Sequence, residues 1–475
     1  MPSVEAGLAF DTIFLLPELP RSAVVMGRAA AVWRPALEDL GIAVVEGRAK
    51  VDLVVAPAAS APSLGSSDAT TVLVDGMVAP ADRRGARCYL ALPATSSPTL
   101  LVDVGSARVG AAAAVMRWGD VAGPRDLAEH ATLAAGVVAG RVPSGAPMVS
   151  VVSRGDTMPA IVRALTQAGV GGRPRSWFLV LTRGSNRRRG VFFVDLADGD
   201  RAVVKFSRRR GVSEKFDREE RGLSLAAETG GVVAACAPRS LGRFEVDGFL
   251  ASAQTAVPGQ DLGQVLRGPL PRAVKVRALD RVASWLADVA RTTRGPAELL
   301  SSEWERLRPL PGAPALMEGL DVGAIPSVFA HGDLADGNIV MSLRSMHAVD
   351  WELAQRHALP LGDLLYFVMN ALPLLDGVAG LEPNVEYLAA LFRGDHRSSG
   401  LLFRWVRALV DASGVRPGDV GRLAALSWLD RAAARVDFFR EAGGDGVDPW
   451  PVPARLADVW LRDPVLGADW SMWQR

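Results

Sequence analysis

Residues 328–340 read Val328-Phe329-Ala330-His331-Gly332-Asp333-Leu334-Ala335-Asp336-Gly337-Asn338-Ile339-Val340, and Val349-Asp350-Trp351-Glu352 follows after a short gap. The pattern predicts a buried strand end, a tight polar loop, a short apolar strand, a turn and a second strand that ends in an acid. Asn338 comes five residues after Asp333, and Asp350 comes twelve residues after Asn338. Phosphoryl transfer requires such a set, because a carboxylate accepts the hydroxyl proton while an amide oxygen and a second carboxylate hold magnesium ions.

The spacing of these residues matches a known signature. In the kinase motif the base and the amide have the same five-residue separation, and the metal-binding acid lies on a later strand. Here Gly332 replaces the Arg of that motif, and Trp351-Glu352 follows the acid in place of Phe-Gly. In this form the motif resembles that of the aminoglycoside phosphotransferase and choline kinase-like families. The resemblance covers about two-thirds of the chain and is most specific between residues 329 and 366.

The resemblance implies a role for each residue of this stretch. Asp333 would be the base that accepts the proton of a substrate alcohol, and His331 would be a hydrogen-bonded anchor of the same catalytic loop. Asn338 and Asp350 would bind Mg²⁺. Asp363 matches an acid that braces the catalytic loop from the start of the next helix.

Composition limits the class of protein. A chain of 475 residues predicts two or three domains, and 49% hydrophobic with 22% charged residues is typical of a soluble protein. A net charge of +1 argues against a dedicated nucleic-acid partner. Cys88 and Cys236 are the only cysteines, which fits a reducing compartment and excludes a cysteine-built zinc or disulfide framework. Neither a signal peptide nor an apolar run long enough to span a bilayer is recognised, so we expect a cytoplasmic protein with no membrane partner.

The sequence pattern of residues 1–145 predicts an α/β, Rossmann-like domain. Short β-branched runs alternate with one amphipathic stretch, Arg28 to Leu40, which is typical of a strand–helix–strand unit in a parallel sheet. Gly27 and Glu46 could be the turn glycine and the ribose acid of a nucleotide or S-adenosylmethionine site. The segment lacks the second and third glycines of that fingerprint, so the layout resembles a degenerate methyltransferase. We therefore expect a structural or partner-binding role and no cofactor in this domain.

We expect residues 146–256 to form the nucleotide lobe of a kinase-like fold. Three antiparallel strands are expected at Trp177 to Leu181, Val191 to Asp195 and Arg201 to Phe206. The loop after the first strand, with Gly184 and Ser185, would cover the nucleotide phosphates. Two further positions are interpreted as nucleotide contacts in the hinge, namely Gln254 and Ala256.

Lys205 lies where the third strand would present an ammonium group to the α- and β-phosphates. Its expected partner is Glu219 on the following helix, and Glu220 is the competing choice. The alternative for Lys205 is a solvated lysine on an edge strand.

We expect residues 257–475 to form a helical lobe that carries the catalytic loop and lines the substrate pocket. The regular apolar spacing from Val276 to Ala290 marks one face of its first long helix. Asp430, Asp437 and Glu441 could face the pocket, or they could form an exposed polar stripe.

The fold expected from these patterns is a Rossmann-like α/β domain followed by an α+β, bilobal protein-kinase-like fold. The expected function is Mg²⁺-dependent transfer of the γ-phosphoryl group of ATP or GTP to a hydroxyl of a small molecule such as a sugar, an aminoglycoside or an amino alcohol. Two alternatives stay open: a pseudokinase that binds nucleotide as an interaction module, and a methyltransferase with a kinase-like appendage. The sequence does not indicate the oligomeric state.

Overall fold

A computed structural model describes residues 11–26, 30–46, 51–57, 71–75, 86–92, 100–103, 148–153, 157–180, 189–441, 448–467 and 470–474. The chain divides into two compact units, Met1–Phe216 with Arg239–Ala256 and Asp217–Pro238 with Val257–Arg475. The division of the sequence into domains at residues 1–145, 146–256 and 257–475 stays a prediction.

The first unit is built on one large sheet. Its described strands are β1 (Ser22–Val25), β2 (Ala43–Val44), β3 (Leu53–Pro57), β4 (Thr71–Asp75), β5 (Ala86–Leu92), β6 (Leu100–Asp103), β7 (Met148–Ser153), β8 (Pro174–Val180), β9 (Gly190–Leu196), β10 (Arg201–Phe206), β11 (Ser240–Val246) and β12 (Phe249–Thr255). These twelve described strands pair in the order β11-β12-β10-β9-β8-β6-β5-β7-β4-β3-β1-β2. The helices described here are α1 (Ala30–Asp39), α2 (Ala160–Gln167) and a 3₁₀ turn at Ile13–Leu15.

One end of this sheet is parallel. β1 pairs in parallel with β2 and β3, and β3 pairs in parallel with β4. α1 lies between β1 and β2 in the chain, so the predicted strand–helix–strand order and parallel layer are found. β4 then pairs antiparallel with β7, and the sheet continues without a break into the antiparallel strands. A separate Rossmann-like domain over residues 1–145 stays a prediction.

The other end of the sheet is the antiparallel part predicted for residues 177–206. β8 pairs antiparallel with β9, and β9 pairs antiparallel with β10. Buried and half-buried positions alternate along β9, as expected for a strand with one face against the core. Gly199 adopts φ +97° in the turn between β9 and β10, and Asp198 Oδ1 accepts a hydrogen bond from the backbone N–H of Asp200 at 3.1 Å. The three predicted strands are confirmed.

An aromatic cluster forms part of the core of the first unit. The ring of Phe14 lies 4.6 Å from that of Phe206 and 5.4 Å from that of Phe249, measured between centroids. Asp11 accepts a hydrogen bond from the guanidinium of Arg208, and both side chains are almost fully buried. The segment that contains Asp11 and Phe14 is therefore part of the core on which β10 and β12 pack.

The second unit is mostly helical. Its strands are β13 (Gln260–Asp261), β14 (Val328–Ala330), β15 (Ile339–Met341), β16 (Met346–Ala348) and β17 (Gln355–Ala358). Its helices are α3 (Glu214–Thr229, which enters this unit at Asp217), α4 (Gly231–Cys236), α5 (Leu262–Arg267), α6 (Arg272–Thr293), α7 (Ser301–Leu307), α8 (Ala313–Glu318), α9 (Gly362–Asp376), α10 (Leu381–Arg393), α11 (Ser399–Ser413), α12 (Val420–Glu441), α13 (Val452–Arg462) and α14 (Pro464–Gly467). Short 3₁₀ turns lie at Ala297–Leu300, Val322–Ala324, Asp336–Asn338, Trp351–Leu353, Pro417–Asp419 and Met472–Gln474.

The long helix α6 confirms the predicted apolar face. Leu279, Val282, Leu286 and Val289 are buried along it, at the spacing of one helical face. The helix that was expected to carry Glu219 is also present, as α3.

In the described part of the chain, no single helix is long and apolar enough to cross a membrane. The bent pair α9 and α10 reaches the necessary length and composition only when both are counted together, with an angle of 107° between them.

Candidate active site

The loop after β14 begins with a glycine that its geometry requires. Gly332 adopts φ +83°, a conformation that side-chain-bearing residues rarely take. A Cβ placed at Gly332 would lie 2.1 Å from the carbonyl oxygen of Leu353, so the backbone of the loop passes directly against the segment that follows Asp350. The absence of the motif's Arg at this position therefore has a steric reason.

Asp363 holds the same loop from the first turn of α9. Its Oδ2 accepts a hydrogen bond from the backbone N–H of His331 at 2.6 Å, and its Oδ1 accepts one from the N–H of Gly332 at 3.0 Å. Hydrogen bonds to an ionised acceptor are stronger than those between neutral groups. The bracing role of Asp363 stays a prediction, and these two contacts are consistent with it.

His331 is enclosed within the loop. Its Nδ1 accepts a hydrogen bond from the N–H of Asp333 at 3.2 Å, so its Nε2 carries the proton that is donated to the carbonyl of Val349 at 3.1 Å. The ring also packs edge-on against Trp351. Burial lowers the pKa of His331 below its usual value of 6.5. With both ring nitrogens in use, His331 has the contacts of a neutral anchor of the loop, and that role stays a prediction.

Asp333 and Asn338 are joined by direct hydrogen bonds. The Nδ2 of Asn338 donates to the backbone carbonyl of Asp333 at 2.8 Å and to its Oδ2 at 2.9 Å. Both side chains are half-buried, so solvent and substrates can reach them. Because the amide nitrogen is used in this way, the amide oxygen is the atom that Asn338 can offer to a cation.

The hairpin of β15 and β16 brings Asp350 close to Asn338. Ile339 pairs with Ala348, and the N–H of Val349 donates to the carbonyl of Asn338 at 2.9 Å. Asn338 and Asp350 therefore lie at the same open end of this hairpin. Asp350 adopts a left-handed conformation, φ +67° and ψ +59°, which Asp tolerates better than most residues.

Trp351 fixes the turn that begins at Asp350. Its indole N–H donates to the carbonyl of Ala348 at 2.8 Å, and its side chain is buried. Gly222 of α3 meets this turn at close range, because a Cβ there would lie 1.8 Å from the carbonyl oxygen of Trp351. The helix that carries Glu219 thus packs directly on the turn behind Asp350.

The predicted nucleotide residues lie in different parts of the structure. Lys205 lies on β10, between β9 and β12, and is 8% exposed, so the alternative of a solvated edge-strand lysine is wrong. Glu219 is buried on α3, and Glu220 is exposed. Their pairing with Lys205 stays a prediction, as do the nucleotide roles of all these residues.

The remaining predicted nucleotide-binding residues are the two hinge residues and the loop expected to cover the phosphates. Gln254 is buried on β12, where it pairs with Val203, and the N–H of Ala256 donates to the carbonyl of Arg201 at 2.9 Å. The Ala256 amide is thus occupied within the first unit. Gly184 and Ser185 lie outside the described residues, as does Gly27 of the N-terminal segment. Glu46 is described, and it forms a solvent-exposed ion pair with Arg34.

A cleft of about 450 Å³ lies beside the catalytic loop in the second unit. Four arginines and four acids line it, so their formal charges cancel: Arg218, Arg221, Arg306, Arg431, Glu303, Glu352, Asp363 and Asp430. Of the three acids predicted to face a pocket, Asp430 does so and is bonded to Arg306. Asp437 is exposed, which fits the polar stripe, and the side chain of Glu441 lies outside the described part.

Two residues near Asp333 have no part in the motif-based prediction. Arg431 of α12 donates a hydrogen bond to the carbonyl of Gly332, and its guanidinium lies 3.9 Å above the ring of Tyr366. Burial and the charge of Asp333, with a hydrogen bond to that carboxylate, raise the pKa of Tyr366 to about 12. Tyr366 ends the range 329–366 in which the resemblance is most specific, but nothing in the local sequence indicates Arg431.

The residues of the loop fit a magnesium–nucleotide complex better than a metal held by protein alone. Among the described residues, no group of three His, Cys, Asp or Glu side chains is arranged to hold a metal ion. Mg²⁺ bound with nucleotide needs only one or two protein oxygens, because phosphates and water supply the others. Asn338 and Asp350 at one hairpin end can provide these two oxygens.

Residues 181–403 match the model of the phosphotransferase enzyme family. This part of the chain is therefore similar to a phosphotransferase domain. The chain is therefore an enzyme of the small-molecule kinase class, and the resemblance seen in the loop at 328–340 is confirmed over this range. No curated protein matches the chain.

Several solved structures are similar to this chain. The macrolide 2′-phosphotransferase of Brachybacterium faecium is 20% identical, covers 61% of this chain and 98% of its own, and superposes with a TM-score of 0.36. A glucosamine kinase is 16% identical over 66% of this chain and 84% of its own, with a TM-score of 0.35. An amicoumacin kinase in complex with AMP-PNP and Ca²⁺ is 11% identical over 62% and 90%, with a TM-score of 0.34.

Proposed function

We propose that the enzyme transfers the γ-phosphoryl group of ATP or GTP to a hydroxyl group of a small molecule such as a sugar, an aminoglycoside or an amino alcohol. The observation that carries this proposal is the arrangement of Asp333, Asn338 and Asp350 on one loop and one hairpin end. A carboxylate next to two oxygen ligands is the set that kinase-type transfer uses.

Asp333 is the proposed base. Its carboxylate is half-buried, and its Oδ2 accepts a hydrogen bond from the amide of Asn338 at 2.9 Å, so the group is held in place and remains accessible to an acceptor hydroxyl. His331 is a poor alternative, because both of its ring nitrogens are bonded within the loop. Asp363 keeps the loop backbone in place through the N–H groups of His331 and Gly332.

Asn338 and Asp350 are the proposed ligands of Mg²⁺. The ion, when bound, neutralises the phosphate oxygens on which charge accumulates during transfer. We also propose that Lys205 binds the α- and β-phosphates with Glu219 as its partner, and that the Gly184-Ser185 loop covers the phosphates. The burial of Lys205 and of Glu219 supports these roles, because charged side chains are rarely buried unless they are paired.

The acceptor is proposed to enter through the cleft beside Gly332 and Asp430. The lining there combines four arginines and four acids with small and apolar residues, which suits a molecule that carries several hydrogen-bonding groups on an apolar frame. The division of the chain into a Rossmann-like part, a nucleotide lobe and a helical lobe remains part of the same proposal.

A nucleotide-turnover screen tests the proposal. Purified protein is incubated with Mg²⁺ and ATP or GTP in the presence of sugars, aminoglycosides and amino alcohols, and nucleoside diphosphate is measured. The Asp333→Asn variant is the matched control, since it removes the base and keeps the size of the side chain. Acceptor-stimulated turnover that disappears in the variant supports the proposal, and turnover that is equal in both proteins contradicts it.

A further inference from the structure

Helix α12 reaches the catalytic loop through a single guanidinium. Arg431 donates to the backbone carbonyl of Gly332, the residue that directly precedes Asp333 in the chain. The two residues are 99 positions apart in sequence, so this contact ties a distant helix to the loop. At Gly332, Asp363 accepts a hydrogen bond from the backbone N–H, whereas Arg431 donates one to the backbone carbonyl.

The same guanidinium packs on the ring of Tyr366, a residue whose pKa is influenced by Asp333. Arg431 lies over the ring of Tyr366 at 3.9 Å, a distance at which the cation is attracted to the face of the ring. Tyr366 belongs to α9, and its hydroxyl interacts with the Asp333 carboxylate. Arg431 therefore contacts the loop at the Gly332 carbonyl and packs on a ring whose hydroxyl is under the influence of the Asp333 carboxylate.

The neighbours of Arg431 on α12 hold the helix in place. One residue before it, Asp430 bonds to Arg306 of α7. One turn after it, Arg435 forms two hydrogen bonds with Asp448, at 2.6 and 2.8 Å. An arginine on a fixed helix can hold the loop in one position, which an arginine on a mobile segment cannot do.

We propose that Arg431 and Tyr366 are positioning residues that hold the catalytic loop and orient the Asp333 carboxylate for proton transfer. The proposal rests on the role of Asp333 as base given above. Neither residue takes a proton or binds the phosphates: Arg431 sets the path of the loop backbone, and Tyr366 sets the direction of the carboxylate.

The test compares four variants of the full chain. Arg431→Ala removes both contacts, Arg431→Lys keeps a donor for the Gly332 carbonyl but loses the flat face, and Tyr366→Phe keeps the ring but loses the hydroxyl. Arg440→Ala is the matched control, because Arg440 lies on the same helix, is 67% exposed and pairs only with the exposed Asp437 among the contacts described. Thermal unfolding of each variant shows whether the fold persists.

Amide hydrogen exchange of residues 331–338 reports on the loop without any need for turnover. Arg431→Ala is expected to exchange faster in this segment than the wild type, with the rest of the second unit unchanged, and Arg431→Lys is expected to lie between them. Tyr366→Phe and Arg440→Ala are expected to exchange like the wild type. Wild-type exchange of the loop in Arg431→Ala, or faster exchange throughout the unit, would overturn the positioning role.

The kinetic arm uses Mg²⁺-dependent ATP hydrolysis, with water as the acceptor, as its probe. Misplacement of a catalytic group by about 1 Å lowers turnover up to about 100-fold, so kcat of Arg431→Ala and of Tyr366→Phe should fall by about ten- to 100-fold while KM for ATP changes less than about twofold. A rise of KM with kcat unchanged would contradict the proposal. If the wild type shows no hydrolysis and no acceptor-dependent turnover, the proposed function fails, and the exchange measurement still decides whether Arg431 holds the loop.

Discussion

Asp363 offers the sharpest stability test of how the loop is held. Asp363→Ala removes the acceptor for two backbone N–H groups, those of His331 at 2.6 Å and Gly332 at 3.0 Å. A buried donor that loses its partner costs about 1–3 kcal/mol, so two such donors predict a loss of about 2–6 kcal/mol in the free energy of unfolding. Asp363→Asn keeps one carbonyl acceptor but turns an NH₂ group toward the second donor, and it should cost about 1–3 kcal/mol.

Urea denaturation followed by tryptophan fluorescence measures this loss. The buried Trp351, which packs against His331, places a reporter beside the loop. Asp437→Ala is the matched control, because its side chain is 67% exposed and should change stability by less than about 0.5 kcal/mol. If Asp363→Ala were as stable as Asp437→Ala, the loop would not depend on Asp363, and the account of the site would be refuted at that point.

The remaining predictions concern the base, the metal, pH and the N-terminal core. Asp333→Asn should lower turnover by about 100- to 10,000-fold while nucleotide binding measured by calorimetry persists. Asp350→Ala should abolish the Mg²⁺ dependence of nucleotide binding in a titration with and without the metal. Because burial lowers the pKa of His331 below 6.5, the unfolded chain binds more protons below pH 6.5, so stability is full above that pH and falls as pH drops further. In the His331→Gln variant, the free energy of unfolding should fall less steeply as the pH drops, by up to about 1.4 kcal/mol per pH unit, in a series of denaturation experiments. Phe14→Ala should cost about 3–5 kcal/mol, against a small effect of Val212→Ala, which is 42% exposed.

The catalytic loop could be predicted from the sequence because its information is local. Asp333, Asn338 and Asp350 lie within 18 residues, and a strand–loop–hairpin brings such residues together whatever surrounds them. The face of α6 was predictable for the same reason, since Leu279, Val282 and Leu286 repeat at the helical period.

Features that depend on distant pairing could not be predicted in this way. The antiparallel pairing of β4 with β7 joins residues about 80 positions apart, and it makes the parallel and antiparallel strands one sheet. The contact of Arg431 with Gly332 spans 99 residues, and no spacing in the sequence indicates it. The steric need for Gly222 likewise appears only when α3 packs on the carbonyl of Trp351.

Transfer of a labelled γ-phosphoryl group tests the central claim most directly. ATP that carries a radioactive γ-phosphoryl group is incubated with the purified chain, Mg²⁺ and the acceptor that gives the highest turnover in the screen, and the label in the acceptor is counted. The account predicts that label moves to a hydroxyl of the acceptor, that chelation of Mg²⁺ stops the transfer, and that Asp333→Asn retains less than about one hundredth of it. Transfer by Asp333→Asn at the wild-type rate, or label found only in free phosphate with every acceptor, would contradict the account.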